Sequence, residues 1–359
     1  MNFSIIPNAN PISDTARQTI LLNPGFGNHF TDHMAVIKYS EDKGWYDAQI
    51  VARGPIMLDP ATAVLHYAQE IFEGLKAYRL SDGAMALFRP DANAARFNQS
   101  ARRLAMPELP EAVFLESIKR LVDIDREWFP DVEGGSIYLR PFMFASEAFL
   151  GVRPSREYLY MVIASPAGVY FKSGAPAIKI WVSQHYTRAA PGGTGAAKCG
   201  GNYAASLTAQ QEASAHGCDQ VVFLDAAEHK WVEELGGMNL FFLFEGGHML
   251  TPPTSGTILE GITRKSIIEL ARDQGLVVEE KPYSIDEWRN DAESGKLIEC
   301  FACGTAAVVT PVGTVASEAG DFTIGAGGPG QITQQLRQQL VNIQRGLAAD
   351  PHGWVQRIG

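Results

Sequence analysis

Strand-like and helical segments occur in both halves of this 359-residue chain, without the strict βαβ alternation that builds a doubly wound parallel sheet. Segments rich in apolar, β-branched and aromatic residues predict strands over 34–40, 136–144, 157–164, 178–182, 221–224 and 240–244. Helical spacing or helix boundary residues predict helices from an N-cap at Asp91 to Met106, after Pro110, from Asn202 to Gly217, over 263–273, after Ser284 and over 331–347. This order favours an α+β fold.

Proline, glycine, lysine and serine interrupt the pattern around residues 166–176. A chain of this length is expected to form about two domains. We therefore predict a smaller N-terminal domain over 1–167, an interdomain linker over 168–179 and a larger, cofactor-binding domain over 180–359.

Composition excludes several classes of protein. Hydrophobic residues make up 46% of the chain and charged residues 19%, which is typical of a globular protein with a large core. The net charge of −10 argues against a nucleic-acid partner, and no apolar run of about 18 residues predicts a membrane span. Residues 1–17 do not resemble a signal peptide, and four cysteines are too few for a disulfide scaffold. A cytoplasmic protein is expected.

The most unusual segment is 190–203, where a single lysine, Lys198, lies among glycines and alanines and Tyr203 follows five residues later. A flexible glycine loop with a solvated lysine is one interpretation. The alternative is a desolvated lysine, because a lowered pKa would supply the neutral amine that Schiff-base chemistry needs. The glycines would also let a planar ligand approach the backbone.

Glu234 precedes Gly236, Gly237 and an apolar strand, so we expect it at a strand end. A carboxylate there could hold a pyridine nitrogen protonated, although an exposed turn glutamate is the alternative. The helix predicted from Thr263 carries two cations in its first turn, where the helix dipole disfavours them, and a docked anion would relieve that conflict. The turn at Thr305 could contact the same anion. Arg96 is a further cation for a phosphate, unless it is a solvated helix residue.

Three other patterns are weaker. His29 and His33 have a spacing that can bind a metal on a helix, but nearby glycines and the lack of further ligands argue against a metal site. Cys300 and Cys303 form a C-x-x-C pair without a second pair, which favours a strand with adjacent thiols. Pro329 removes a donor from the glycine-rich segment 325–330, so a loop is predicted there.

Taken in order, these motifs resemble the branched-chain-amino-acid aminotransferases of fold type IV, a group that is similar to D-amino-acid aminotransferase. The resemblance covers nearly the whole chain. It rests on His66-Tyr67, Phe72-Glu73-Gly74-Leu75-Lys76-Ala77, Phe88-Arg89-Pro90 through Arg96, Tyr138-Leu139-Arg140-Pro141, Lys198-Cys199-Gly200-Gly201-Asn202-Tyr203, Glu234-Leu235-Gly236-Gly237-Met238-Asn239 and Gly304-Thr305-Ala306.

The resemblance implies a two-domain protein with pyridoxal 5′-phosphate at the domain interface. Lys198 would form the Schiff base and move the proton, Tyr203 would contact the ring oxygen, and Glu234 would pair with the ring nitrogen. Arg96, the backbone of Ile262 and Thr263, and the Thr305 hydroxyl would hold the phosphate. The substrate pocket would be formed by Phe72, Tyr138, Arg140, Tyr170, Ala306 and, from the partner of a homodimer, Tyr67.

The implied reaction moves the amino group of leucine, isoleucine or valine to 2-oxoglutarate. Two departures from the family are visible: Ala307 and Thr310 replace a redox cysteine pair of mammalian members, and Gly237 replaces a threonine of some members. D-amino-acid aminotransferase and aminodeoxychorismate lyase are alternatives with the same fold. A cofactor-binding protein without catalysis is a third, although binding alone would not require Lys198, Tyr203 and Glu234 together.

Overall fold

The computed structural model describes residues 1–168 and 177–358, which form two compact units. Unit 1 contains the described residues up to 168 together with Ala197–Gly200 and residues 343–358, and unit 2 contains residues 177–196 and 201–342. The predicted boundary at 168–179 therefore misses two segments, 197–200 and 343–358, which follow it in the sequence but belong to unit 1. Residues 178 and 179 already belong to a strand, whereas 169–176 lie outside the described residues.

Unit 1 contains one nine-stranded, mainly antiparallel sheet. Its strands are β1 (Ser4–Ile5), β2 (His33–Ser40), β3 (Gly44–Ala52), β4 (Glu70–Phe72), β5 (Leu75–Arg79), β6 (Met85–Phe88), β7 (Ser136–Ala145), β8 (Glu157–Ala167) and the C-terminal β18 (Val355–Ile358). The order is β1-β3-β2-β8-β7-β5-β6-β18, with β4 beside β7. Pairing of β18 with β6 explains why the C-terminus belongs to this unit.

Alternation along the strands of this sheet separates an internal face from a second face. Ile137, Leu139 and Met143 of β7 join the hydrophobic core with Phe97 and Phe114 of the helices. Tyr138, Arg140, Phe142 and Phe144 point to the second face, where Phe142 and Phe144 join an apolar cluster. That cluster, the apolar face, consists of Met34, Val36, Val51, Leu58, Val64, Phe142, Phe144, Leu159, Met161 and Ile163.

The helices of unit 1 are α1 (Asp14–Leu22), α2 (Val64–Tyr67), α3 (Pro90–Arg103) and α4 (Glu111–Ile124), with a 3₁₀ turn at Arg126–Trp128. The prediction of an N-cap at Asp91 is wrong by two residues. Arg89 caps α3 in the left-handed conformation, with φ 49°, and Pro90 begins the helix because its missing N–H has no partner to lose there. Helix α4 begins after Pro110, as predicted.

Unit 2 is built around a closed, barrel-like sheet. Its strands are β9 (Ile178–Ser183), β10 (Gln220–Leu224), β11 (Val232–Leu235), β12 (Asn239–Phe244), β13 (His248–Thr251), β14 (Val277–Glu280), β15 (Leu297–Gly304), β16 (Val308–Ala316) and β17 (Phe322–Thr323). The order β11-β10-β9-β16-β15-β12 returns to β11 through the pairing of Glu234 with Asn239. An α+β fold is confirmed for both units.

The helices that follow are α5 (Gly200–Ala205), α6 (Leu207–Ala215), α7 (Ile262–Asp273), α8 (Ile285–Glu293) and α9 (Gln331–Gln344), of which α5 and α9 cross the limits between the units. The single helix predicted over 202–217 is interrupted at Ser206, and α9 ends three residues before the predicted limit. Ser284 caps α8 through a reciprocal capping box with Glu287. Among the described residues, no helix is both long and apolar enough to cross a membrane.

Candidate active site

The backbone of Lys198 is fixed within unit 1 by α3 and β4. Its N–H donates to Oγ of Ser100 at 2.9 Å, and its carbonyl accepts the N–H of Phe72 at 2.9 Å. The next anchor is Gly200, whose N–H donates to the carboxylate of Glu70. A Cβ at Gly200 would lie 2.3 Å from that carboxylate, so a larger residue would push the Glu70 side chain away from the Gly200 N–H. Nζ of Lys198 lies 4.7 Å from the centre of the Phe72 ring.

The fold brings charge to a lysine whose sequence neighbours are nearly chargeless. Glu73 is fully buried. Its carboxylate accepts hydrogen bonds from Nε of Arg96 at 2.7 Å, Nη2 of Arg96 at 2.9 Å and Nδ2 of Asn93 at 2.7 Å. Burial by itself raises the pKa of Glu73, but the charge and hydrogen bonds of Arg96, the charge of Lys198 and the Asn93 hydrogen bond together hold that pKa below its ordinary value. The buried carboxylate of Glu73 is therefore close enough to Lys198 for the two charges to interact, although no residue next to Lys198 in the sequence is charged.

Arg96 is not a solvated helix residue, the alternative considered from the sequence. It lies on the buried side of α3 and forms a bidentate ion pair with Glu73. Its assignment to a phosphate stays a prediction. Glu73 lies in one of the motifs on which the family resemblance rests. Its structural role depends on Arg96, 23 residues away, and no local pattern identifies that partner.

Phe72, Tyr138 and Arg140, all predicted to line the substrate pocket, are neighbours on the second face of the unit 1 sheet. Nη2 of Arg140 donates to the Tyr138 hydroxyl at 3.1 Å, and its guanidinium carbon lies 4.6 Å from the centre of the Phe72 ring. A Cβ at Gly74 would lie 2.1 Å from the Tyr138 hydroxyl oxygen, so only glycine leaves that tyrosine its position. The cluster therefore combines aromatic walls with one cation.

Two further residues of this cluster were missed. Phe26 packs against Tyr138 in an edge-on contact with ring centres 4.9 Å apart. Lys76 lies opposite Tyr138 in the pairing of β5 with β7, so both side chains point to the same face. The pKa of Lys76 is lowered to about 8, mainly by burial and to a smaller extent by the nearby charge of Arg345. Alternation along β5, in which apolar Leu75 and Ala77 flank the lysine, could have predicted that Lys76 points away from the core. Tyr67, by contrast, is exposed on α2, and Tyr170 lies outside the described residues.

Glu234 lies near the end of β11 in unit 2, and its side chain is buried by polar partners. Oε1 forms an ion pair with Nη1 of Arg188 at 2.8 Å and accepts the N–H of Leu259 at 2.9 Å. Oε2 accepts Nδ2 of Asn239 at 3.2 Å. The exposed-turn alternative for Glu234 is therefore wrong. Arg188 was missed, although it is the isolated cation that precedes the glycine-rich segment.

Closure of the barrel explains why Glu234 occupies this position. Glu234 pairs with Asn239, and Asn239 pairs with Cys303 near the end of β15. The turn between β11 and β12 is tight, with the N–H of Leu235 donating to the carbonyl of Met238 at 2.9 Å. A Cβ at Gly261 would lie 2.0 Å from Oδ1 of Asn239, so the loop before α7 approaches only because residue 261 is glycine.

The first turn of α7 contains the predicted phosphate contacts Ile262 and Thr263. Its cations, however, are already compensated: Arg264 pairs with Glu280 at 2.7 Å, and Lys265 pairs with Glu260 at 2.7 Å. These two charges therefore give no reason to expect a docked anion, and the phosphate contacts of Ile262 and Thr263 stay a prediction. What remains is a helix start capped by Gly261 without a side-chain hydrogen bond and without an acidic residue in its first turn.

Thr305 and Ala306 form the turn that joins β15 to β16, and both are half-buried. Val308, which pairs with Gly304 across this turn, has φ 63°, a left-handed conformation that is strained for a β-branched residue. Tyr203 lies on α5, half-buried. A Cβ at Gly237 would lie 3.6 Å from its ring, so Tyr203 is next to the turn after Glu234.

The weaker sequence patterns have structural explanations. His33 is paired through Nδ1 with Asp125 at 2.7 Å and accepts the N–H of Asn8 at Nε2. Cys300 and Cys303 lie in β15 as free, buried thiols, and burial raises the pKa of Cys303 to about 12. Residues 325–330 form a loop before α9, as predicted. Within residues 1–168 and 177–358, no group of three or more His, Cys, Asp or Glu side chains could hold a metal ion.

The chain is similar to known proteins over most of its length. A model of the family described as amino-transferase class IV matches residues 70–315. The chain is 57% identical over 362 residues to the branched-chain-amino-acid aminotransferase of Mycolicibacterium smegmatis, covering 100% of this chain and 98% of that protein. It is 54% identical over 363 residues to the enzyme of that name from Mycobacterium tuberculosis H37Rv, covering 100% and 99%.

Solved structures agree. The branched-chain amino acid aminotransferase of Escherichia coli superimposes with a TM-score of 0.75 at 28% identity, covering 90% of this chain and 100% of that one. The T.th. branched-chain amino acid aminotransferase complexed with N-(5′-phosphopyridoxyl)-L-glutamate gives a TM-score of 0.72 at 29% identity, covering 90% and 99%. The chain belongs to the class IV aminotransferases, and within them to the branched-chain-amino-acid aminotransferases.

Proposed function

We propose that this enzyme transfers the amino group of leucine, isoleucine or valine to 2-oxoglutarate, using pyridoxal 5′-phosphate and releasing the branched 2-oxo acid and L-glutamate. The observation that carries the proposal is the surroundings of one ring: Phe72 lies 4.7 Å from Nζ of Lys198 and 4.6 Å from the guanidinium carbon of Arg140. An amine that can react and a cation that can bind a carboxylate therefore share one aromatic neighbour.

The donor set of the described residues fits the cofactor. Bound pyridoxal phosphate supplies an aldehyde that binds an amine as a Schiff base and a ring that accepts electrons. Lys198 offers the amine and, once released, a base at Nζ for the substrate α-proton. Glu234 offers a buried carboxylate for the ring nitrogen, and Tyr203 a hydroxyl for the ring oxygen. Arg96, the N–H groups of Ile262 and Thr263, and Thr305 offer donors for the phosphate.

The substrate cluster fits two kinds of side chain. Phe72 and Tyr138 offer apolar surface for a branched aliphatic group. Arg140, with the hydroxyl of Tyr138 at 3.1 Å from Nη2, offers a charge-assisted contact for the second carboxylate of 2-oxoglutarate or glutamate. The glutamate moiety bound to the T.th. enzyme supports this choice of amino-group acceptor.

A direct assay tests the proposal. The purified protein loaded with pyridoxal phosphate is supplied with L-leucine and 2-oxoglutarate, and L-glutamate is measured through a coupled dehydrogenase. Lys198→Ala should abolish turnover, whereas Lys43→Ala, at an exposed lysine, should not change it. Activity with D-alanine, or pyruvate release from aminodeoxychorismate, in place of activity with leucine would identify the two alternative reactions of this fold. Cofactor binding without any of these reactions would overturn the proposal.

A homodimer in the cytoplasm completes the proposed function. Tyr67 is 39% exposed on α2, which suits a residue that contributes to the pocket of a partner. The apolar face of unit 1 gives further support, because Val36, Phe142, Leu159 and Ile163 remain only partly buried in a single chain.

A further inference from the structure

Glu233 is a second buried carboxylate beside Glu234, and the proposed function gives it no role. It is 7% exposed, and Oε1 accepts the hydroxyl of Thr257 at 2.5 Å. Oε2 is buried and has no hydrogen-bond partner among the described residues. A buried carboxylate oxygen without a partner costs stability, so its presence calls for an explanation.

Thr257 links Glu233 to the other two charges of this site. Its hydroxyl donates to Glu233, and its carbonyl accepts Nη1 of Arg188 at 3.0 Å. The same Nη1 pairs with Oε1 of Glu234 at 2.8 Å. A Cβ at Gly195 would lie 2.3 Å from the Thr257 carbonyl oxygen, so the backbone is closely packed around this link. Glu233, Arg188 and Glu234 thus form one buried charge cluster.

The charges of this cluster do not cancel. Arg188 and Glu234, with side chains 1% and 3% exposed, are neutral as a pair, and a neutral pair attracts a ring cation weakly. Ionised Glu233 changes the sum to −1, which matches the single positive charge of a pyridinium. The other acid that acts on Glu233 is Asp225, a less buried group whose carboxylate accepts the N–H groups of Ala227, Glu228, Lys230 and Trp231.

We propose that Glu233 is a positioning residue that acts through Thr257 and Arg188. It gives the cluster of Glu233, Arg188 and Glu234 a net charge of −1, so that Glu234 can attract the protonated ring nitrogen of bound pyridoxal phosphate. This inference rests on the proposed role of Glu234. Glu233 shares the positive charge of Arg188, so that Arg188 orients Glu234 without neutralising it. Thr257 holds Glu233 near Arg188, because its hydroxyl donates to Glu233 and its carbonyl accepts Nη1 of Arg188.

Ionisation of Glu233 makes this effect dependent on pH. Burial raises the pKa of Glu233 to about 6; the Thr257 hydrogen bond and Arg188 oppose this shift, whereas Glu234 and Asp225 add to it. The contribution of Glu233 should therefore be largest well above pH 6 and decline as the pH falls through that value. A residue with a purely structural role would not give this dependence.

The test is Glu233→Gln, which keeps the size and hydrogen bonding of the side chain but removes its charge. Pyridoxal phosphate is titrated into the wild-type and variant apo-proteins at pH 8, alongside the analogue in which CH replaces the ring nitrogen. The variant should bind pyridoxal phosphate about tenfold more weakly and the analogue equally well, since the analogue carries no ring charge. Glu245→Gln, an exposed carboxylate in the same unit, should match the wild type with both ligands.

The same titrations at about pH 5 should show a much smaller difference between wild type and Glu233→Gln, because most of Glu233 is then protonated. Glu233→Asp, which retains the charge, should keep most of the preference for pyridoxal phosphate. A Glu233→Gln protein that binds both ligands as the wild type does, or that loses affinity for both equally, overturns the inference. Glu234→Gln separates the two proposals: if it weakens pyridoxal phosphate selectively, only the role of Glu233 has failed, and if it does not, the role of Glu234 fails as well.

Discussion

Glu73 is a carboxylate without exposed surface, and its charge depends on Arg96. Removal of one partner from a buried ion pair leaves an uncompensated charge, so Arg96→Ala should lower the free energy of unfolding by about 3–5 kcal/mol. Arg102→Ala is the matched control, because Arg102 lies on the same helix in an exposed pair with Glu108, and should cost about 1 kcal/mol or less. Urea denaturation followed by circular dichroism measures both.

Equal stability of Arg96→Ala and Arg102→Ala would contradict this role for the pair. The result also determines how a phosphate contact should be tested. A loss of cofactor affinity in Arg96→Ala could come from lower stability or from a lost phosphate contact. Arg96→Lys is the better variant for testing the phosphate contact, because it keeps a cation beside Glu73. Because the pKa of Glu73 is lowered in the folded state, its contribution to stability is present above its ordinary pKa and is lost as the pH falls.

Glu233 is predicted to have the opposite effect on stability. Its pKa is raised from 4.5 to about 6 in the folded state, so its ionised form costs stability above pH 6, and that cost disappears as the pH falls towards 4.5. Glu233→Gln should therefore raise the free energy of unfolding at pH 8 by about 2 kcal/mol and leave it unchanged below pH 4.5. Urea titrations at the two pH values measure the difference. Destabilisation at pH 8 would show that Glu233 supports the fold.

At the scale of elements, the loop before α7 and the strand β12 depend on each other through Gly261. Its φ is −63°, which alanine can adopt, so Gly261→Ala acts through the clash of its Cβ with Oδ1 of Asn239. We expect loss of the Asn239–Glu234 hydrogen bond and about tenfold weaker binding of pyridoxal phosphate, since a hydrogen bond to a charged group contributes about 1.5–3 kcal/mol. Cofactor titration measures this. Gly201→Ala, in α5 with open space around it, should leave affinity unchanged.

Elements whose signals are local could be predicted from the sequence, and elements that depend on distant partners could not. The helix boundary at Ser284 and the apolar spacing after Pro110 predicted α8 and α4, and the structure shows a capping box at Ser284. The left-handed Arg89 and the interruption at Ser206 have no comparable local signal. The same applies to the site: Glu234 could be identified from the glycines after it, whereas its partner Arg188 lies 46 residues earlier, and Glu280, which compensates Arg264, lies 16 residues later.

At the scale of the whole molecule, the resemblance across many ordered motifs predicted the fold class correctly. The limits of the two units could be predicted only in part, because they depend on which strands pair with each other and not on local composition. The return of the chain to β18 beside β6, and of residues 197–200 to Phe72 and Ser100, cannot be recognised from a linker pattern. These returns place Lys198 in the same unit as Arg140 and Glu73.

Association of two chains should depend on the apolar face of unit 1. Leu159 is a partly buried residue of that face and pairs with Phe144 across the sheet. Leu159→Glu would place a charge within it, which is costly to desolvate in an interface but tolerable in a single chain. Leu22→Glu, at a 77% exposed position of α1 outside this face, is the control. Sedimentation should show dimers for the wild type and Leu22→Glu and monomers for Leu159→Glu, with circular dichroism establishing that both variants fold.

Since Tyr67 is proposed to complete the partner's pocket, the Leu159→Glu monomer should also lose most of its activity with leucine. A monomeric wild type, or a dimeric Leu159→Glu protein, would contradict this interface.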